Sequence, residues 1–420
     1  MIPAVLVPLL VLSTLAPFQE PGQGGRRKPQ ARPDGEKKEK VLPLVELPAD
    51  YVHYTRVPEG GREPRAVARR DLPVALLYAL GAEDAVDLQV ARSADQGVTF
   101  SPGVRVNPEP GEVRTLDGSH GGSLAIGPDG RVHVTWIKKG EQPSIRYVRG
   151  NDAGGFEPVQ DLGAPAGLGA NAALCLDEEG SVYVFFAALD QEPVEGETPG
   201  YRIFLRKALR DGDFSEARPI GSKKHDVSPN CLIAAHIDEV MGHLYVLYRV
   251  NYAIKEEQIG TQRNMMLLAS VNKGLEFSST FVNNWKLQRD PATFAHLFQQ
   301  DETTIACWEA DGDVCWSAIL RNKGRVDAPS SPRIDVDKYY RSDAAGAAND
   351  INVLLAWLEY PLIMTDKGNK KPDKSQPPTL AWEVWLRDGR MPYGVGRAPE
   401  ATAPWPPAVL RRGTGFTIVY

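Results

Sequence analysis

Short apolar strands separated by polar turns recur along the chain, and the stronger strand of each pair often ends in an aromatic residue. Ala66-Val67-Ala68 leads to Val74-Ala75-Leu76-Leu77-Tyr78. Leu124-Ala125-Ile126 leads through Gly127-Pro128-Asp129-Gly130 to Val132-His133-Val134-Thr135-Trp136. The same pairing returns from Leu174, Ile233, Leu297, Ala344 and Ala408, the last ending in Phe416-Thr417-Ile418-Val419-Tyr420. Runs this short, bounded by Gly, Pro, Asn and Asp, read as β-strands, and their recurrence marks a repeat fold. Third strands such as Ser144-Ile145-Arg146-Tyr147-Val148 follow most pairs. Four strands to a unit predict the radial blades of an all-β propeller, which leaves few free sheet edges. The seven inner hairpins predict seven blades, with six as the alternative. The last repeat reaches only its second strand at Tyr420, so residues 41–56 are expected to supply outer strands and close the ring from the N-terminal side.

One turn is more specific. Ser93-Ala94-Asp95-Gln96-Gly97-Val98-Thr99-Phe100 follows an alternating strand and reads S-x-D-x-G-x-T-F. Asp95 is placed to accept backbone amides, Gly97 to supply a positive φ, Ser93 and Thr99 to tie the flanks, and Phe100 to bury its ring. Eroded copies occur at Asn151–Phe156, Arg210–Phe214 and Ser270–Phe277. The octet resembles the Asp-box, or bacterial neuraminidase repeat, of the sialidase superfamily. That resemblance implies a β-propeller over nearly all of residues 60–420, with the Asp-box on the face away from the active site.

Composition adds a compartment and removes one class of partner. The N-terminal stretch from Ala4 to Ala16 is almost wholly apolar and too short to span a bilayer, so residues 1–18 read as a signal peptide. Residues 19–40, rich in Pro, Gly, Lys and Arg, read as a disordered linker, which leaves 41–420 for the propeller. A secreted or periplasmic protein without stable membrane insertion after leader removal is expected. With 48 Lys and Arg against 54 Asp and Glu, the net charge of -6 gives nucleic-acid binding no electrostatic support. No cofactor motif is present, and neither the four Cys nor the seven His show metal spacing. A two-residue Asp311-Gly312 turn sets Cys307 opposite Trp316, which argues against a Cys307–Cys315 disulfide; the pairing of Cys175 and Cys231 stays open.

Candidate chemistry belongs to loops before each first strand and after each second strand, which share one face of such a propeller. The resemblance to sialidases implies three Arg gripping a carboxylate, an Asp acid/base and a Tyr nucleophile activated by Glu. Arg62-Glu63-Pro64 resembles the family's Arg-Ile-Pro element, although Glu63 brings a carboxylate beside the anion grip. Arg249 and Arg341 are the candidates to complete a triad. Asp84 falls at the position of the acid, and Tyr252 or Tyr340 with Glu309 at that of the nucleophilic pair. His120, set among glycines before a first strand, is a further substrate-binding candidate, with backbone hydrogen bonding as its alternative. His133 alternates with core positions and is expected to be half exposed. The insertions Leu189–Tyr201 and Leu362–Pro378 are expected to overhang this face. Two functions follow: a glycan- or small-molecule-binding module without a complete catalytic set, or an exo-sialidase or related glycoside hydrolase.

Overall fold

The computed structural model describes residues 46–420 apart from 70–71, 116–118, 191–199, 222–225, 231, 254–260, 288–294, 311, 322, 334, 336–337, 365–369, 387–391 and 403–404. The expected leader and linker lie outside these residues, as does Cys231. Among the described residues the strands form seven separate sheets, numbered here as blades 1–7 in chain order of their first strands. Those first strands are Arg62–Val67, Ser123–Ile126, Ala172–Leu176, Ala234–Ile237, Ala295–Gln300, Tyr339–Ala348 and Ala408–Arg412. Each pairs antiparallel with the strand that follows it, and blades 1–6 continue outward through a third and a fourth strand. The protein is a β-propeller. Its first strands touch in sequence from blade 1 to blade 7, and that of blade 7 touches that of blade 1. No helix among the described residues is long and apolar enough to cross a membrane.

The core lies between blades. Strand side chains alternate across a sheet, so a blade with neighbours on both sides buries both of its faces. Leu77 and Leu88 of blade 1 pack with Val134 and Trp136 of blade 2. Tyr183 and Phe185 of blade 3 pack with Val246 and Tyr248 of blade 4. His133 belongs to this interior rather than to a half-exposed surface. It is 4% exposed, and its Nδ1 lies 2.6 Å from the Tyr147 hydroxyl.

Blade 7 joins the two ends of the described chain. Its outer strand is Val52–Thr55, which runs parallel to Gly415–Val419 with Val52 opposite Phe416. Tyr54 of this strand and Tyr51 just before it hold it against blade 6: Trp382 Nε1 donates to Tyr54 at 2.7 Å, and Asn352 Nδ2 donates to Tyr51 at 2.5 Å. The Asp-box of blade 1 clasps the same sheet. Thr55 Oγ1 donates to the Gly97 carbonyl at 2.8 Å, and Thr417 Oγ1 donates to the Gln96 carbonyl at 3.1 Å.

Within that turn the hydrogen bonds follow the motif. Ser93 Oγ accepts the Gly97 amide at 2.8 Å and donates to Asp95 at 2.7 Å. Asp95 accepts both the amide and the hydroxyl of Thr99, at 2.9 and 2.6 Å. The Thr99 and Ser93 donors hold its carboxyl down at about 2. The turn at Ser270 repeats the scheme, with Asn272 accepting the Glu276 amide at 2.9 Å and Ser270 accepting that of Gly274 at 2.9 Å. In blade 5, Cys307 stands opposite Trp316 and Cys315 opposite Trp308, and both thiols are free.

The clasp tests the seam directly. Gly97 has φ of +87°, and an added Cβ would lie 2.6 Å from Leu410 Cδ1 of blade 7. Gly60 has φ of +71° with nothing near its would-be Cβ. Both Gly→Ala changes pay a left-handed backbone cost on the order of 1 kcal/mol. Only Gly97→Ala also wedges the seam, so it is expected to lose roughly a further 1–2 kcal/mol in urea unfolding. Equal losses for the two variants would separate the Asp-box from ring closure.

Candidate functional site

The two ends of the propeller differ. At one end lie the turns between first and second strands together with the Asp-box. At the other lie the approaches to the first strands and the turns after the second strands, where the sequence placed its candidates. Two first strands carry a bulge near this second end. In blade 1 the register jumps between Arg62 and Arg65, and in blade 6 between Ser342 and Ala345. Each jump contains an acid in the left-handed region, Glu63 at φ +53° and Asp343 at +58°. A bulge re-aims a side chain, and here it re-aims a carboxylate.

At blade 1 the structure brings Arg62, Glu63 and His120 together. The Arg62 guanidinium donates to the Gly81 carbonyl at 2.5 Å, stands 3.7 Å from Glu63 and lies over the Trp405 ring at 5.4 Å. Glu63 is buried and accepts the His120 amide at 2.6 Å. Burial raises its carboxyl to about 7, against the opposing pull of that amide and of Arg65 and Arg62. His120 is fully buried. Its Nδ1 accepts the Gly122 amide at 2.9 Å, so Nε2 carries the proton and donates to the Glu63 carbonyl at 3.0 Å. Burial, aided by Arg65, drops its pKa to about 3. His120 is therefore a neutral backbone tie with both ring nitrogens engaged, the alternative the sequence had left open.

Arg341 is likewise occupied. It is 1% exposed, donates through Nε to Glu359 at 3.1 Å and through Nη1 to Asp313 at 3.2 Å. Arg397 donates to the other Glu359 oxygen at 2.9 Å, so this carboxylate is held between two guanidinium groups. Arg341 and Glu359 are direct cross-strand partners within blade 6. Removing one member of such a buried network strands the other charge, which makes it a strong structural constraint.

A third cluster spans blades 4, 5 and 6. Arg249 has no exposed surface and donates to Ser228 Oγ at 2.7 Å. Its charge acts on Glu309, a buried residue of blade 5 that accepts the Tyr340 hydroxyl of blade 6 at 3.2 Å. Burial is the main force raising the Glu309 carboxyl, to about 8, and neighbouring Asp343 adds to it. Asp343 is itself raised by burial, with Ser342 Oγ donating to it at 2.6 Å. Tyr360, opposite Tyr340 across the hairpin, is raised to about 12 by burial and by the same two acids. Lys374, from the insertion after the second strand of blade 6, counteracts both acids.

Of the expected catalytic trio, Glu309 alone stands in this cluster with a phenol. That phenol is Tyr340. Tyr252 pairs through its backbone with Gln262, and its side chain lies outside the described residues. Asp84 sits exposed in the turn between Val74–Ala82 and Ala85–Ser93, its carbonyl accepting Lys139 Nζ at 2.5 Å. The three guanidinium groups sit in blades 1, 4 and 6 with separate partners. Sequence reasoning assigned no role to Asp343, Tyr360 or Lys374, although Asp343 and Tyr360 fall in the loops expected on the candidate face and Asp343 precedes two alanines much as Glu63 precedes Pro64. That shared acid-then-small pattern is the signal of the bulge.

No family model and no curated protein sequence matches the chain. Solved structures do. The chain is similar to a polysaccharide lyase described as an ulvan lyase, with 12% identity, coverage of 83% of this chain and 87% of that one, and a TM-score of 0.48. It is similar to an α-L-arabinanase of Penicillium chrysogenum, with 11% identity, 81% and 95% coverage, and a TM-score of 0.46. It is also similar to the sialidase of Trypanosoma rangeli, with 11% identity, 74% and 53% coverage, and a TM-score of 0.43.

The raised acids set a pH dependence. Glu309 and Glu63 hold their protons to about 8 and about 7, above the value near 4.3 of an unfolded Glu. Protonation therefore favours the fold. That contribution is complete below the unfolded value and is lost as pH rises through the folded ones. Melting temperature is expected to fall between pH 5.5 and pH 8.5, and Glu309→Gln, which imitates the protonated acid, is expected to flatten the slope. A steeper slope in the variant would refute the burial assignment.

Proposed function

We propose that this protein is an exported propeller that binds an uncharged glycan at the polar cluster of blades 5 and 6 and does not hydrolyse sialosides. The carrying observation is the clustering of Glu309, Tyr340, Asp343 and Tyr360, which bond to or act on one another. Sugars present hydroxyl groups and apolar ring faces. Carboxyl and phenol groups engage the former, and half-buried Tyr340 and Tyr360 engage the latter. Arg249 and Arg341 expose no guanidinium with which to meet a substrate carboxylate. A mainly protonated Glu309 is also a poor acceptor for a phenol proton at neutral pH. Export rests on the apolar N-terminal stretch alone.

The Tyr340–Glu309 hydrogen bond favours one rival, a glycoside hydrolase in which this pair supplies the nucleophile. A glycan array carrying neutral and sialylated oligosaccharides, followed by calorimetry on the best ligand, separates the readings. Binding to neutral glycans is expected, weakened about tenfold by Tyr340→Ala, the loss of about 1.4 kcal/mol of ring contact. A fluorogenic sialoside is expected to remain intact. Its turnover by the wild type, lost in Glu309→Gln and in Tyr340→Phe, would establish the rival.

A further inference from the structure

An axial channel of about 1650 Å³ runs along the first strands, and it opens on the other face. Its walls are the first strands, with small residues such as Ala66, Ala125, Ala234 and Gly346 keeping it wide. Its mouth includes Arg69, Pro128, Glu178, Asp350 and Gly413, from turns between first and second strands, together with Gln96 of the Asp-box. Toward the candidate face, the buried His120–Glu63 tie stands at the start of the blade-1 strand.

Arg65 lines this channel. Among the described residues its side chain makes no hydrogen bond or ion pair; its nearest opposing charge is Glu63, already committed to the His120 amide. Burial lowers its pKa to about 10, so it stays cationic at physiological pH. The charge is felt across the axis, where it lowers the proton affinity of His296 in blade 5. His236 and His296 also line the channel and are held neutral by burial, with Nε2 atoms 3.0 Å from Gln299 Oε1 and 3.2 Å from the Gly346 carbonyl. The described channel wall therefore includes a cation and two neutral imidazoles, and Glu63 acts on the guanidinium without bonding to it. At the mouth, Glu178 is paired with Arg69 at 2.7 Å, and Asp350 with Arg411 at 2.8 Å, which moderates the acidic rim that Glu239 and Asp301 extend.

We propose that the axial channel is an oxyanion site in which Arg65 holds the carboxylate or phosphate group of a small ligand entering from the Asp-box face. Glu63 acts on this cation without a hydrogen bond or close ion pair to it, and a planar guanidinium offers two parallel donors to an oxyanion. The volume exceeds the roughly 300–1,000 Å³ of ordinary ligand pockets, so a small acid enters with water around it. The site is independent of the polar cluster of blades 5 and 6, and failure of either leaves the other standing.

The test uses calorimetry of the full chain with inorganic phosphate and, separately, with glycolate, alongside diffraction from wild-type crystals soaked in selenate. Binding of at least one anion is expected, weakened roughly tenfold or more by Arg65→Gln and largely kept by Arg65→Lys. The stronger arm identifies phosphate or carboxylate as the preferred group. An anomalous selenium peak is expected within hydrogen-bond distance of Arg65. Unchanged affinity in Arg65→Gln, a channel holding water only, or selenate bound elsewhere would overturn the proposal. Should Arg65→Gln fail to fold, the position of selenate in the wild type decides it.

Discussion

Two threonines from opposite ends of the described chain donate to neighbouring carbonyls of one turn, and the ring depends on that clasp. Thr55 stands on the outer strand of blade 7, Thr417 on its middle strand, and both reach the Asp-box of blade 1. A propeller blade cannot stand alone, because each sheet has two apolar faces that only its neighbours can cover. The contact between the last and first blades thus sets whether all the others are buried. The turn suits this task because its own side chains satisfy its amides, which leaves the Gln96 and Gly97 carbonyls for the neighbouring blade. Blade 7 needs such help, having three strands among the described residues where blades 1–6 have at least four.

Holding the ring shut also fixes what its two faces can present. First strands packed around an axis leave little freedom for side chains, so acids enter through bulges, at Glu63 and Asp343. The bulges lead to different outcomes. Glu63 turns into a closed arrangement with His120 and seals backbone groups. Asp343 lies beside Glu309, Tyr340 and Tyr360, where the Tyr340 hydroxyl donates to Glu309 and both phenols are half-buried. One device therefore anchors in blade 1 and builds a polar cluster in blade 6.

The repeats were legible because alternation and turn residues are local properties, readable a few residues at a time. Hairpin register was legible for the same reason, as Cys307 opposite Trp316 shows. The fate of the arginines was not. Arg341 finds Glu359 across its own hairpin, a pairing that register alone could have exposed, but Asp313 and Arg397 come from other strands. Arg249 shares its surroundings with Glu309 of the next blade, which no local pattern encodes. His120 had two readings in the sequence because glycines permit either ligand approach or backbone bonding. Burial chose between them. Arg65 was passed over because it sits inside a strand rather than in a loop, and only ring closure places that strand on the channel.

Burial also separates residue types from function. A carboxylate grip needs guanidinium groups that are exposed when empty and desolvated when filled. Arg249 and Arg341 are both covered, Arg249 with a hydrogen bond to Ser228 and Arg341 between Glu359 and Asp313. Moving Arg341 toward a ligand would break its buried ion pair and strand Glu359, a cost on the order of 3–5 kcal/mol. A single bound carboxylate does not return that much beyond its own desolvation. Arg249 and Arg341 are therefore held by the fold rather than left open on its surface.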